Sequence, residues 1–130
     1  MAYAFLLGRI ILGGYFITAG VGHITGWAGM LGYSKSKGVP MPELGNAFAI
    51  ACLILGGLGI LLGVWVRVVV LLLVVFLLLA SFLIHPYWKD TDPMARMGNR
   101  VNFMKNFGLI GALLMILMLT TIVWPYALAL

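Results

Sequence analysis

Apolar residues run almost unbroken through four stretches of the chain, about 3–22, 45–64, 68–84 and 106–124, and polar residues gather between them. Each stretch is near the ~20 residues that cross ~30 Å of hydrocarbon, the third being the shortest. Breakers mark the intervals: Gly38, Pro40 and Pro42 after the first stretch, and His85-Pro86 after the third. Only Trp65-Val66-Arg67 joins the second to the third, which predicts a tight antiparallel hairpin. In lipid an open chain satisfies its backbone polar groups only as helix. The pattern therefore predicts an all-α fold, an integral membrane antiparallel four-helix transmembrane bundle, with residues 1–130 as a single domain. Tyr3, Trp65, Trp124 and Tyr126 would mark one membrane face, and Trp27, Tyr33, Tyr87 and Trp88 the other, as aromatic belts do.

Composition agrees. The 130 residues are 64% hydrophobic and 8% charged, with a mean hydropathy of +1.16, whereas soluble domains carry roughly 25% charged residues. A soluble domain this small must place most residues at its surface, and these charges are too few to cover one. The partner of that surface is the lipid bilayer. The net charge of +5 is dispersed between apolar runs, which argues against nucleic acid. Lys35, Lys37, Lys89, Arg96, Arg100 and Lys105 fall on one side, and Arg9 and Arg67 on the other. The positive-inside bias then makes the chain a multi-pass cell-membrane protein with its 1–2 and 3–4 loops cytoplasmic and both termini outside. On that reading a cysteine at Ser36 stays hidden from an external thiol reagent while one at Leu130 is labelled. Arg9 lies within the first apolar run rather than ahead of it, so that run reads as a retained span and not a cleaved signal. The single Cys52 permits no intrachain disulfide or CxxC relay and reads as a small packing residue.

Small residues allow helices to approach closely in lipid. The first span offers Gly14, Thr18, Gly22 and Gly26, and the second Gly45, Ala49, Cys52, Gly56, Gly59 and Gly63. Two such stripes fit a close pair within one chain and equally fit a homo-oligomer. The third span has no glycine and is expected to face lipid more than the others.

Polar side chains are costly near hydrocarbon and usually face the interior of a bundle. Because the spans alternate in direction, His23, Glu43, His85, Asn102, Lys105 and Asn106 share one membrane face. Asp92-Pro93 is a helix start, with Asp as N-cap and Pro as the first helical residue. A helix from there to Trp124 would be about 48 Å long, more than a span requires. Along it Asn99, Asn102 and Asn106 recur at helical spacing beside Lys105, opposite a stripe of Met94, Met97, Val101 and Met104. Arg96 and Arg100 suit lipid phosphates. Arg9 is expected to snorkel outward, towards an anionic headgroup, or else to meet the Trp65–Arg67 turn. No metal site is expected from the spacing of two His and three acidic residues, although His23 and His85 meet if the first and third spans adjoin. Phosphate-binding glycine loops and Ser–His–Asp sets are absent from the pattern.

Gly8-Arg9, the run GVGHITGWAGMLGYSKSKGVP from Gly20 to Pro40, the Arg67 turn, HPYWKDTDP from His85 to Pro93 and NFMKNFGLIGALL from Asn102 to Leu114 together resemble the DoxX family of small four-helix membrane proteins. The resemblance covers nearly the whole chain. It departs at His23, where the family often has Lys, and at Leu53 and Ile54, where many members place a Glu ahead of the paired glycines. The family is related to subunits of a thiosulfate:quinone oxidoreductase. The resemblance thus implies a membrane subunit associated with quinone-linked oxidoreduction, with a redox protein as partner, no tightly bound cofactor and quinone as its ligand. His85, Trp88, Lys105 and Asn106 would line a pocket near one interface for a quinone head or small anion, with Lys105 giving charge, Asn106 a hydrogen bond and Glu43 the counter-charge. The rival reading, favoured by the short loops and the missing carboxylate, is a non-catalytic membrane scaffold or lipid-binding protein. Whether the chain is an enzyme at all stays open at this stage. A transporter is disfavoured by the lack of a mid-membrane break and of internal repeats.

Overall fold

The computed structural model describes residues 1–128; Leu130, the position of the expected external label, lies outside them. Five α-helices form among the described residues: α1 Ala2–Thr25, α2 Trp27–Ser36, α3 Pro42–Leu62, α4 Val66–Leu83 and α5 Pro93–Met118. Four helical segments, all but α2, are long and apolar enough to cross a membrane. The chain is a multi-pass membrane protein built from those four.

α3 is the central helix, packed against α1 on one side and α4 on the other, and α4 in turn packs against α5. Glycine makes both α3 contacts close. A Cβ on Gly13 would sit 2.7 Å from the Gly57 carbonyl oxygen, and one on Gly57 the same distance from that of Gly13, so the backbones of α1 and α3 touch there. Gly56 and Gly59 face Leu73 and Val69 of α4 instead. The expected α3 stripe is thus divided between two neighbours. On α1 the packing face is Gly13, Phe16 and Gly20, whereas a Cβ on Gly14 or Gly22 meets open space. The expected α1 stripe is off by one face, because the helix turns its β-free atoms at 13 and 20 towards α3 and leaves Gly14 and Thr18 outward.

The core joins all four spans through Phe16, Leu53, Ile60, Val70, Leu73, Leu77, Ile110 and Leu113. α4 is not the most lipid-exposed span. Its apolar window is 28% buried, against 39% for α3, 22% for α1 and 17% for α5. Its branched side chains pack into the grooves that α3 leaves at Gly56 and Gly59, so a glycine-free helix serves as the filler.

The end of α3 and the start of α5 are set by local caps. Gly63 adopts a left-handed φ of 72°, and the Val64 N–H closes on the Gly59 carbonyl at 2.9 Å, a glycine-dependent C-cap. Asp92 caps α5 by accepting from the Ala95 N–H at 2.8 Å, with Pro93 next, as expected. α5 stops at Met118 and passes through a 3-10 turn, Leu119–Thr121, short of the expected limit at Trp124. The chain then folds back, and the Leu128 N–H donates to the Leu62 carbonyl at 3.0 Å.

That return closes the end of the bundle around Arg9. Arg9 is 3% exposed. It donates through Nε to Ile60 O (3.2 Å), Nη2 to Leu61 O (2.7 Å) and Nη1 to Pro125 O (2.6 Å), with its guanidinium 5.4 Å from the Trp124 ring centre. Instead of snorkelling to a headgroup, it satisfies carbonyls at the end of α3 that no helix turn can reach. Trp124, expected in an aromatic belt, is buried at 7% against this group and Phe5.

Candidate functional site

At the opposite end the helices separate around a cavity of about 510 Å³. Its deep wall is apolar, formed by Phe16 and Ala19 of α1, Ala49 and Leu53 of α3, and Phe76 and Leu77 of α4. Its outer end is polar and takes His23, Asn46, His85, Asn99, Asn102, Lys105 and Asn106 from four segments of the chain. The segment expected to be a loop supplies part of the wall, because residues 27–36 coil as α2 and present Met30, Tyr33 and Ser34.

The polar groups are tied in pairs and chains. His23 Nδ1 lies 2.6 Å from Asn46 Oδ1, linking α1 to α3. His85 Nδ1 lies 2.9 Å from Asn99 Oδ1, which also accepts from the Tyr33 hydroxyl at 2.9 Å. Asn99 Nδ2 donates to Asp90 Oδ2 (2.7 Å), and Asp90 Oδ1 accepts from Lys37 Nζ (2.7 Å). Lys37, Tyr33, Asn99, Asp90 and His85 thus join α2, the α4–α5 connection and α5, and of these Tyr33, Asn99 and His85 line the cavity. The Lys37 ammonium holds the Asp90 carboxyl below its usual range, and the Asp90 carboxylate raises Lys37. Deeper in, Asn106 Nδ2 donates to Ser81 Oγ at 3.2 Å, and Ser81 Oγ donates to Leu77 O at 2.7 Å, fastening α5 to α4.

Residues 4–86 match the family model described as DoxX. The chain belongs to the DoxX family. This DoxX protein is 37% identical over 115 residues to the inner membrane protein YqjF of Escherichia coli K12, covering 85% of this chain and 79% of that one. It is 31% identical over 111 residues to the inner membrane protein YphA of the same organism, with the same coverage. No solved structure matches it.

Within the DoxX fold, His23, His85, Asn102, Lys105 and Asn106 all line the one cavity. Trp88 and Glu43 do not. Trp88 belongs to an outer aromatic cluster, edge-on to Phe103 at 5.6 Å and Tyr87 at 5.3 Å, because the 3-10 turn Tyr87–Lys89 swings it away from His85. Glu43 is exposed and faces Lys35 at 3.5 Å, so it is not the counter-charge of Lys105. Lys105 Nζ instead donates to Asn102 Oδ1 at 3.0 Å at the exposed rim. Arg96 and Arg100 are exposed on the outer side of α5. Sequence reasoning did not place Tyr33, Lys37, Asn46, Ser81 or Asp90 at the site, and it named Asn99 only as part of the α5 stripe. Asn46, an amide inside an apolar span, was the strongest available sign of the α1–α3 pairing.

Proposed function

We propose that this DoxX protein is a quinone-binding membrane subunit that serves a partner oxidoreductase. The observation that carries the reading is the polarity gradient of the cavity. Ligand sites are mostly apolar with a few placed polar groups, and a quinone is an apolar tail on a ring with polar atoms. The ring would lie among His23, His85 and Asn106, and the tail along Phe16, Leu53 and Leu77 towards the hydrocarbon. The family-level link to quinone-dependent complexes supports the same class of ligand. Electrons would pass between the bound ring and the partner, and Lys105 and Asn102 would guard the polar entrance.

Protein reconstituted in nanodiscs, titrated with a short-tailed quinone analogue and followed by quenching of intrinsic fluorescence, should show saturable binding. Ala49→Phe, which fills the apolar wall, should abolish it while the protein still purifies as a folded species. Absence of saturable binding, together with no redox protein recovered by crosslinking in native membranes, removes the proposal. A phospholipid or detergent chain held in the cavity under the same conditions would instead establish the lipid-binding scaffold.

A further inference from the structure

We infer that the cavity holds its quinone in the reduced diol form in preference to the dione, an inference that rests on the quinone reading above. The argument turns on which atoms of the inner polar wall are left to meet a ligand. Asn99 fixes the first. Its Nδ2 donates to the Asp90 carboxylate and its Oδ1 accepts from Tyr33, so the amide cannot rotate without setting oxygen against oxygen. Oδ1 therefore also accepts from His85, and the hydrogen of neutral His85 sits on Nδ1. In a neutral imidazole the other nitrogen is then an acceptor.

His23 repeats the arrangement. Asn46 turns its Nδ2 towards the His23 carbonyl at 3.4 Å and its Oδ1 onto Nδ1 at 2.6 Å. Nε2 of His23 is again the bare acceptor. Asn106 gives one Nδ2 hydrogen to Ser81, whose own proton goes to Leu77 O, and keeps Oδ1 as an acceptor beside its second N–H. Among the described residues no buried side-chain nitrogen or oxygen lacks a partner. The three unbonded acceptors are thus reachable by a ligand rather than sealed in the protein.

The charged donor stands apart. Lys105 is exposed at the rim and already bonded to Asn102. Ser34 can donate or accept. The amide N–H groups of Asn102 and Asn106 can donate to a ligand oxygen, but the two imidazoles can only accept, so the wall as a whole suits groups that donate as well as accept, as hydroxyls do. A diol brings two O–H donors, whereas a dione brings only further lone pairs and leaves the imidazoles unmatched. A site built around one hydrogen-bonding pattern rejects the analogue lacking it, because its own polar groups are then desolvated without partners.

The test uses the full chain in nanodiscs under argon at mildly alkaline pH, where imidazoles are neutral. It is titrated with a decyl-tailed benzoquinol and with the matching benzoquinone. The diol should bind at least about tenfold more tightly. In a His23→Gln, His85→Gln double variant, whose amides offer donors as well as acceptors, the ratio should fall to within about threefold. Nitrogen NMR of the unsubstituted protein should show both imidazoles as the Nδ1–H tautomer, a readout that does not depend on any variant folding. Equal or tighter dione binding, or the Nε2–H tautomer at either histidine, overturns the diol preference and leaves the quinone reading standing. Failure of both ligands to bind removes both.

Discussion

Replacing Arg9 by Met keeps an unbranched stem of similar reach and removes the guanidinium. Three carbonyls then lose their donor: Ile60 and Leu61, in the last turn of α3, and Pro125, in the returning C-terminal segment. Hydrogen bonds to a charged donor contribute about 1.5–3 kcal/mol each, and relief of the desolvation of a buried cation offsets part of the loss, so about 3 kcal/mol net is expected rather than the sum. Arg9→Lys, with one compact ammonium in place of a fork, should recover some of this but stay about 1–2 kcal/mol below the parent. Unfolding by SDS in mixed micelles, followed by tryptophan fluorescence, measures the difference. Trp124, 5.4 Å from the guanidinium, reports on the same locus. If Arg9→Met lies within about 0.5 kcal/mol of the parent, as for a surface substitution, Arg9 does not join these segments and the reasoning fails.

Gly57→Ala should cost about 1–3 kcal/mol in the same assay, since its Cβ meets backbone atoms of Gly13 and Ile17 that cannot move cheaply, whereas Gly14→Ala should be neutral; equal effects would refute the assigned packing face. The Lys37–Asp90 pair gives a pH window. Asp90 is depressed, so its contribution is present above the ordinary carboxylate range and lost as pH falls through its lowered pKa. Lys37 is raised, so its contribution is present below the ordinary ammonium range and lost as pH rises through its higher pKa. Protection factors of the α2 amides, corrected for intrinsic exchange at each pH, should therefore be highest between these limits and lower across that window in Asp90→Asn; protection independent of both pH and the substitution would show that the pair does not hold α2. Ser36→Cys should resist an impermeant thiol reagent on intact cells, and labelling there would invert the orientation read from the charges.

The four spans were legible because hydrocarbon imposes one length and one backbone solution on the sequence. The faces they use were less so. Gly13 and Gly14 are equivalent as residues, and only the rotation of α1 against Gly57 decides which is buried. α2 was hidden because Gly26, Gly29 and Gly32 look like loop residues, and the tertiary contacts of Tyr33 and Lys37 override that propensity. Helical spacing puts Asn102 and Asn106 of the α5 stripe on one face, and both line the cavity. Trp88 was misjudged because a single 3-10 turn after His85-Pro86 rotates it outward, and sequence carries little sign of that turn. Glu43 was assigned to Lys105 by sign of charge alone, while the fold places it beside Lys35.

The cavity as a quinone site is tested most directly by a photoreactive quinone analogue in nanodiscs, with the attached residues read by mass spectrometry. The account predicts label on the cavity wall, at Phe16, Ala49, Leu53 or Leu77, and its loss when excess unmodified quinone is added. Label confined to outward residues such as Leu71, Val75 and Met115, unchanged by competitor, would contradict it.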